Sequence, residues 1–237
     1  MDKEKSMISF AGVFILLFFY GNITTHTQGI NFEHTDILID RNVNSIGYET
    51  VKIGDQEWMV DNLNVSKFRN GELIPQAESN KEWVSAYKEG NPAWCYFDNN
   101  PINGEKYGKL YNWYAINDTI RGGIAPDGWY VPSNDEFTKL IDFLGGHQLA
   151  SKKMKSNSGW HNQGDGNNES GFTGLPGGAR LPNGSFTSTG LYGYGYWWSS
   201  SEYLTANAWS RILYYNNAVI TTNHHKASGF SVRLLKE

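Results

Sequence analysis

The segment from Asn168 to Glu202 constrains the fold more than any other, because it combines closely spaced glycines with many aromatic residues. This mixture is incompatible with a regular helix, and its last part, Gly195 to Ser201, is typical of a strand that leaves a glycine-rich loop. We therefore expect contacts with the rest of the chain to determine its shape. The whole chain has 26 glycines and 19% charged residues, which disfavours a helical bundle and favours one loop-rich globular domain.

The N-terminus is predicted to be a targeting segment. Lys3 and Lys5 precede an apolar run, Ile8 to Gly21, that is too short to cross a bilayer comfortably. We predict a secretory signal peptide over residues 1–27, with an uncleaved membrane anchor as the alternative.

The rest of the chain is predicted to form a linker and one exported domain. Residues 28–45 are predicted to form a linker and residues 46–237 one domain. No cysteine lies near the cleavage junction, so we expect a secreted or cell-surface protein that is not a lipoprotein and has no membrane span after cleavage. The formal net charge of −4 and the lack of a basic cluster argue against nucleic acid as a partner.

Cys95 is the only cysteine, which excludes an intramolecular disulfide although the exported compartment would permit one. It lies between Trp94 and Tyr96, so we expect a buried apolar thiol. The domain must therefore be held together by packing alone.

Two helices and an N-terminal hairpin are predicted from local patterns. Two short strand-like runs flank Gly54-Asp55, which indicates a hairpin. Apolar spacing of i, i+3, i+4 from Leu110 predicts a first helix that begins near Gly108. Ser133 and Glu136 form a capping box, which predicts a second helix from Asn134 to Leu144.

Other elements are less sharply defined. A short helix is predicted over Lys81–Tyr87, and residues 147–155 fit either a helix or a strand. Residues 156–168 are turn formers and are predicted to form a long loop pinned by Trp160. The C-terminal strands are predicted at Tyr196–Ser201, Ala208–Tyr215, Val219–Asn223 and Phe230–Leu235, the last with an apolar face.

Seven sequence blocks together carry a family resemblance. They occur in this order: Trp58–Leu63, Tyr107–Ala115, Gly128–Ser133, Asn168–Phe172, Leu175–Gly178, Tyr196–Ser200 and Gly229–Arg233. The chain resembles the Fibrobacter succinogenes major paralogous domain, a family found in surface and secreted bacterial proteins. The resemblance implies an α+β, C-type-lectin-like fold, in which two helices pack on short antiparallel sheets with long loops and the N- and C-terminal strands pair. It implies no settled biochemical activity.

Familiar catalytic motifs are absent from the sequence. It contains no Gly-x-Ser-x-Gly elbow, no phosphate-binding glycine loop and no His-Glu-x-x-His helix. His224 and His225 are adjacent and would point to opposite faces of a strand, so we expect a solvated turn there and no metal site. Metal binding is more plausible at one loop, because Ca²⁺ needs several hard oxygen ligands. A structural calcium is therefore predicted as one alternative, with an ordinary turn as the other, at Asp165, Asn167, Asn168 and Glu169.

A ligand-binding face is predicted in the C-terminal half. The region from Tyr192 to His225 is rich in tyrosine and asparagine, a combination that antibody loops use for recognition. The predicted face consists of Tyr194, Tyr203, Tyr214, Tyr215 and Asn217. The alternative is that these side chains cover their own core. If the face is elsewhere, the 98–105 and 156–169 loops are the next candidates.

Three functions follow from these patterns. The first is an exported, non-enzymatic module that binds a glycan or a protein at the cell surface. The second is a carbohydrate-active hydrolase in which a pair of carboxylates, drawn from Asp135, Glu136, Glu169 and Glu202, meets in a cleft. The third is a structural envelope protein without a ligand.

Overall fold

The structure is a computed structural model that describes residues 41–43, 47–188, 190–215 and 218–237. It is an α+β protein with antiparallel sheets. The strands are β1 Arg41–Val43, β2 Glu49–Ile53, β3 Gln56–Met59, β4 Trp94–Cys95, β5 Leu110–Tyr111, β6 Trp129–Tyr130, β7 Tyr194–Leu204, β8 Asn207–Tyr214, β9 Ile220–His225 and β10 Leu235–Lys236. The α-helices are α1 Asn80–Lys88, α2 Pro101–Tyr107, α3 Trp113–Ile116, α4 Asn134–Phe143 and α5 His147–Met154. Within the described ranges, no helix is long and apolar enough to cross a membrane.

The largest sheet joins the two ends of the domain. Its strand order is β1-β2-β3-β10-β6, and each neighbouring pair is antiparallel. The predicted hairpin is confirmed as β2 and β3, with Gly54 at a φ of 64° in the turn. Leu235 of β10 lies opposite Trp58 of β3, so the pairing between the C-terminal strand and the N-terminal hairpin is confirmed. Strand β1 lies inside the segment predicted as a linker, residues 28–45.

The second predicted helix is confirmed as α4. The Ser133 hydroxyl accepts from the Glu136 amide at 3.2 Å, and the Glu136 carboxylate accepts from the Ser133 amide at 2.7 Å, so both halves of the capping box are present. The short predicted helix is confirmed as α1, and residues 147–155, left open by the sequence, contain α5. The family resemblance implied two helices, whereas the described residues contain five α-helices.

The first predicted helix was wrong in extent. Leu110–Tyr111 forms strand β5, and only Trp113–Ile116 is helical, as α3. The physical reason is backbone pairing on both sides: β5 pairs with β4, and the Tyr111 amide donates to the Phe230 carbonyl at 2.9 Å while the Phe230 amide donates back at 3.1 Å. An apolar spacing that suits a helix therefore belongs to a buried strand followed by one helical turn.

The predicted strand Phe230–Leu235 was also wrong in extent. Only its last residue belongs to β10, and the residues before it make single bridges to separate partners: Gly229 to Arg180, Phe230 to Tyr111 and Ser231 to Trp197. The polar side chains that alternate with the apolar ones are buried as well, because Ser231 is 1% exposed and Arg233 is fully buried. The segment crosses the domain interior rather than running along one sheet.

Five tryptophans lie in the core, each 5% exposed or less: Trp58, Trp113, Trp129, Trp197 and Trp198. Helices α4 and α5 contribute to a cluster that also contains Trp58 and Trp197. Cys95 is fully buried, as expected, and burial raises the pKa of its thiol to about 11. This pKa makes the thiol a poor nucleophile at neutral pH.

A buried polar tie links the C-terminal segment to the hairpin. The Arg233 guanidinium donates to Asn62 Oδ1 at 2.8 Å and to the Met59 carbonyl at 3.1 Å, and it also bonds the Phe172 carbonyl. Asn62 Oδ1 also accepts a hydrogen bond from Trp197 Nε1 at 2.8 Å. Carbonyl and amide oxygens accept the hydrogen bonds of the buried guanidinium, and the negative charge of Asp61 also stabilises its charged form.

Candidate functional site

Two tyrosines of the predicted face lie side by side on the three-stranded sheet β7-β8-β9. Tyr194 on β7 is directly opposite Tyr214 on β8, so both side chains lie on the same face of the sheet. Their rings are stacked, with centroids 4.3 Å apart and planes 19° apart. The next residue, Tyr215, packs edge-on against Tyr214 at 4.3 Å. All three side chains are half-buried, which leaves part of each accessible.

This pair is the surface end of an aromatic ladder that reaches the core. Ring centroids follow one another from Tyr194 to Tyr196 at 5.7 Å, from Tyr196 to Phe230 at 4.9 Å and from Phe230 to Trp198 at 4.4 Å. Trp198 is fully buried, and burial raises the pKa of Tyr196 to about 12. Because each ring packs on the next, the surface tyrosines are held in fixed orientations by the interior.

The 156–169 loop packs against the same surface. The His161 ring lies edge-on to Tyr215 at 6.2 Å. A hydrogen bond between the side chains of Tyr215 and Tyr214 makes the largest contribution to the pKa of Tyr215 and raises it. A second hydrogen bond, with the Asn162 side chain, opposes that rise. Trp160 is 5% exposed, so its predicted role in pinning this loop is confirmed.

Tyr192 adds a further exposed ring beside the 156–169 loop. It is 48% exposed and has a φ of 83°, in the left-handed region that residues other than glycine rarely occupy. Its amide donates to the Pro176 carbonyl at 3.2 Å, and its carbonyl accepts from the His161 amide at 2.7 Å. The backbone around Tyr192 is therefore fixed in a costly conformation that displays the side chain. We call Tyr194, Tyr214 and Tyr215 the tyrosine patch.

The sequence did not predict every member of this surface. Tyr192, His161 and Asn162 were not among the predicted binding residues, although Tyr192 lies in the same glycine- and tyrosine-rich run. That run was the one available signal. The contact between His161 and Tyr215 joins segments separated by more than fifty residues, and no local pattern indicates it.

Tyr203 is not part of the patch. It lies near the other end of β7, is 43% exposed and packs edge-on against Trp209 at 4.8 Å. At about 3.3 Å per residue, the nine steps from Tyr194 to Tyr203 span roughly 25–30 Å. A bulge between Trp198 and Glu202 also shifts the register in which β7 pairs with β8, so the two ends of β7 are paired in different registers. Asn217 lies outside the described residues.

The loop predicted for calcium uses its side chains in local hydrogen bonds. Asp165 accepts from the Trp160 amide at 2.8 Å, and Asn168 accepts from the Thr173 amide at 2.8 Å. Asn167 accepts from the Glu169 amide at 3.2 Å, while the Glu169 carboxylate pairs with Lys153 at 3.1 Å. In the part of the chain that the structure describes, no group of three or more His, Cys, Asp or Glu residues could hold a metal ion. Calcium binding stays a prediction.

The carboxylates considered for hydrolysis have separate partners. Glu136 caps α4 and accepts from the Tyr130 hydroxyl at 2.6 Å. Glu202, near the end of β7, pairs with Lys226, and Glu169 pairs with Lys153 on α5. Asp135 lies in the first turn of α4. Their bonds therefore serve helix capping and ion pairing on different elements.

The adjacent histidines do not form the predicted solvated turn. His224 and His225 are the last residues of β9 and are both half-buried. His224 Nδ1 lies 2.8 Å from the Ser210 hydroxyl, whereas His225 packs edge-on against Tyr87 at 4.7 Å. The prediction that the two rings point to opposite faces agrees with these separate contacts.

A second concave region lies on other elements. A cavity of about 590 Å³ is lined by the apolar side chains of Tyr48, Val65, Phe68 and Ile124, with Arg69 at its edge. The Arg69 guanidinium is already bonded to the carbonyls of Ala125, at 2.9 Å, and of Pro126 and Trp129. This cavity shares no lining residue with the tyrosine patch.

Comparison with known proteins identifies the family. The sequence pattern of the Fibrobacter succinogenes major domain matches residues 51–236, which covers most of the chain and lies inside the predicted 46–237 domain. The chain therefore belongs to this family. No curated protein and no protein of solved structure matches it.

Proposed function

We propose that this protein is an exported, non-enzymatic binding module of C-type-lectin-like fold whose tyrosine patch recognises a glycan. The observation that carries the proposal is the stacked pair Tyr194 and Tyr214, anchored by an aromatic ladder to buried Trp198 and flanked by Tyr215. Tyrosine rings offer flat apolar area for the C–H faces of sugars, and their hydroxyls hydrogen-bond to sugar hydroxyls. Because packing already fixes these rings, binding loses little side-chain entropy.

The fold assignment rests on the pairing of the C-terminal strand with the N-terminal hairpin. Pairing of β10 with the β2–β3 hairpin, together with a separate three-stranded sheet that carries the patch, agrees with what the family resemblance implies. The non-enzymatic assignment is supported by the separate structural partners of Glu136, Glu169 and Glu202. Export is supported by the charged and apolar N-terminal pattern of residues 1–27, which lies outside the described residues.

The mature N-terminus tests export. We expect mass spectrometry of the protein recovered from its native host to show a chain that lacks residues 1–27. A purified protein that retains the apolar run would instead be membrane-anchored, and the proposed location would change.

A glycan array tests the binding function, followed by titration of the strongest glycan. We expect Tyr214→Ala and Tyr215→Ala to weaken binding by at least about tenfold, or ~1.4 kcal/mol, because each removes a ring from the contact surface. Tyr203→Ala is the matched control: it removes an exposed tyrosine from the far end of β7, and affinity should not change.

Several outcomes would contradict the proposal. Unchanged affinity in folded Tyr214 and Tyr215 variants would place the site elsewhere. Cleavage of a bound glycan would identify a hydrolase. A blank glycan array would favour either a protein ligand, if a protein array shows tyrosine-dependent binding, or a structural envelope role, if it does not.

A further inference from the structure

A small polar pocket opens beside the tyrosine patch. It has a volume of about 230 Å³, and Tyr215 forms one of its walls. The remaining walls come from α5 and from the 163–165 segment: Gln148, Ser151, Lys152, Lys155, Gln163, Gly164 and Asp165. This volume is below the range of about 300–1,000 Å³ typical of drug-sized ligands, so it suits one sugar residue rather than an extended chain.

Lys155 places a buried positive charge at this pocket. The residue is 5% exposed, and its ammonium donates to the carbonyls of Tyr214 at 3.3 Å and Tyr215 at 3.0 Å. An ammonium has three N–H donors, so these two bonds leave one donor over. Burial lowers the pKa of Lys155, and the nearby Asp165 carboxylate opposes this shift.

Lys152 adds a second positive charge, one turn of helix earlier. Its side chain is exposed, and within the described ranges its ammonium has neither an ion pair nor a hydrogen bond. Its neighbour Lys153 instead pairs with Glu169 at 3.1 Å. The one acidic group in the lining, Asp165, already accepts from the Trp160 amide at 2.8 Å. Two lysines therefore face one carboxylate, and the pocket carries a net positive charge.

We propose that this pocket binds an acidic sugar residue, with its anionic group at Lys152 and Lys155 and its ring against Tyr215. The proposal rests on the proposed glycan-binding function and adds the chemical class of the residue that is recognised. The amides of Gln148 and Gln163 line the same space and supply hydrogen bonds to sugar hydroxyls. A neutral residue would leave the net positive charge of the pocket uncompensated, whereas a carboxylate or sulfate forms charge-assisted bonds with the ammonium groups.

The test uses glycans matched in pairs, each pair identical except for a terminal glucuronic acid in place of glucose. A third set carries glucose 6-sulfate at the same position and distinguishes a carboxylate from a sulfate as the anionic group. We expect the wild-type protein to bind an acidic member at least roughly tenfold more tightly than its neutral counterpart, and the preference to weaken as salt is raised.

The variant Lys152→Gln should remove most of this preference and leave the affinity for neutral glycans unchanged. Lys153→Gln is the matched control, because it removes the same charge from the adjacent position, which does not line the pocket. Both variants should keep the wild-type urea midpoint, which shows that they fold.

Each result separates this inference from the function on which it rests. Equal binding of acidic and neutral glycans, or an acidic preference that survives Lys152→Gln, would overturn the acidic-sugar assignment and leave the tyrosine-dependent glycan binding intact. Wild-type protein that binds no member of any pair would overturn both.

Discussion

Replacement of Phe230 by alanine is the sharpest test of how the C-terminal segment packs in the core. The ring is 2% exposed and packs against Trp198 at 4.4 Å, Tyr196 at 4.9 Å and His224 at 4.9 Å. Removing a buried phenyl ring loses its transfer free energy and leaves a cavity, which together cost about 3–5 kcal/mol. A domain of this kind has a total stability of about 5–15 kcal/mol, so Phe230→Ala removes a large part of it.

Urea denaturation followed by tryptophan fluorescence measures the effect as a shift of the unfolding midpoint. Phe143→Ala provides the control, because it makes the same chemical change at a side chain that is 54% exposed, and we expect a cost of less than about 1 kcal/mol there. A folded Phe230→Ala protein within about 1 kcal/mol of wild type would show that the aromatic ladder does not depend on this ring, contrary to the packing described.

Four further predictions follow from buried groups and from the loop predicted for calcium. Burial lowers the pKa of His224 and His225, so unfolding takes up protons; stability should be full above pH ~6.5 and fall below it, with a smaller fall in His224→Gln. Cys95 should resist thiol reagents in the native protein and react on unfolding, and rapid native labelling would contradict its burial. Asn62→Leu removes one acceptor of buried Arg233 and the acceptor of Trp197 Nε1, and it should cost about 3 kcal/mol or more in urea denaturation, whereas Asn62→Asp should cost less. Calcium at 100 times its Kd should raise stability by about 2.7 kcal/mol, and identical melting in chelator would exclude the site.

Locally determined elements could be predicted from the sequence. The capping box at Ser133 and Glu136 fixes the start of α4 through bonds within one helical turn, so a short motif suffices. The β2–β3 hairpin is similar, because Gly54 alone allows the positive φ of the turn. Seven ordered blocks also sufficed to identify the family.

Elements that depend on distant partners could not be predicted. Residues 110–111 form a strand because they pair with β4, and Tyr111 also bridges to Phe230, more than a hundred residues away in sequence. The same contact interrupts the C-terminal strand predicted over Phe230–Leu235. For both segments, tertiary hydrogen bonding overrides the local apolar spacing.

The candidate site also combines features that composition indicates with features that depend on distant contacts. Composition indicated a tyrosine-rich surface, and the structure brings Tyr194, Tyr214 and Tyr215 together. The long β7 strand places Tyr203 far from them, which the sequence did not predict because strand length and bulge position are set by pairing with β8. The role of the 156–169 loop beside Tyr215 likewise depends on a contact between distant segments.

A crystal structure of the mature protein with a bound glycan is the most direct test of the central claim. The account predicts sugar carbons within about 4 Å of the rings of Tyr214 and Tyr215, the usual distance of apolar contact. A glycan bound instead in the cavity lined by Tyr48 and Phe68, with the tyrosine patch unoccupied, would contradict it.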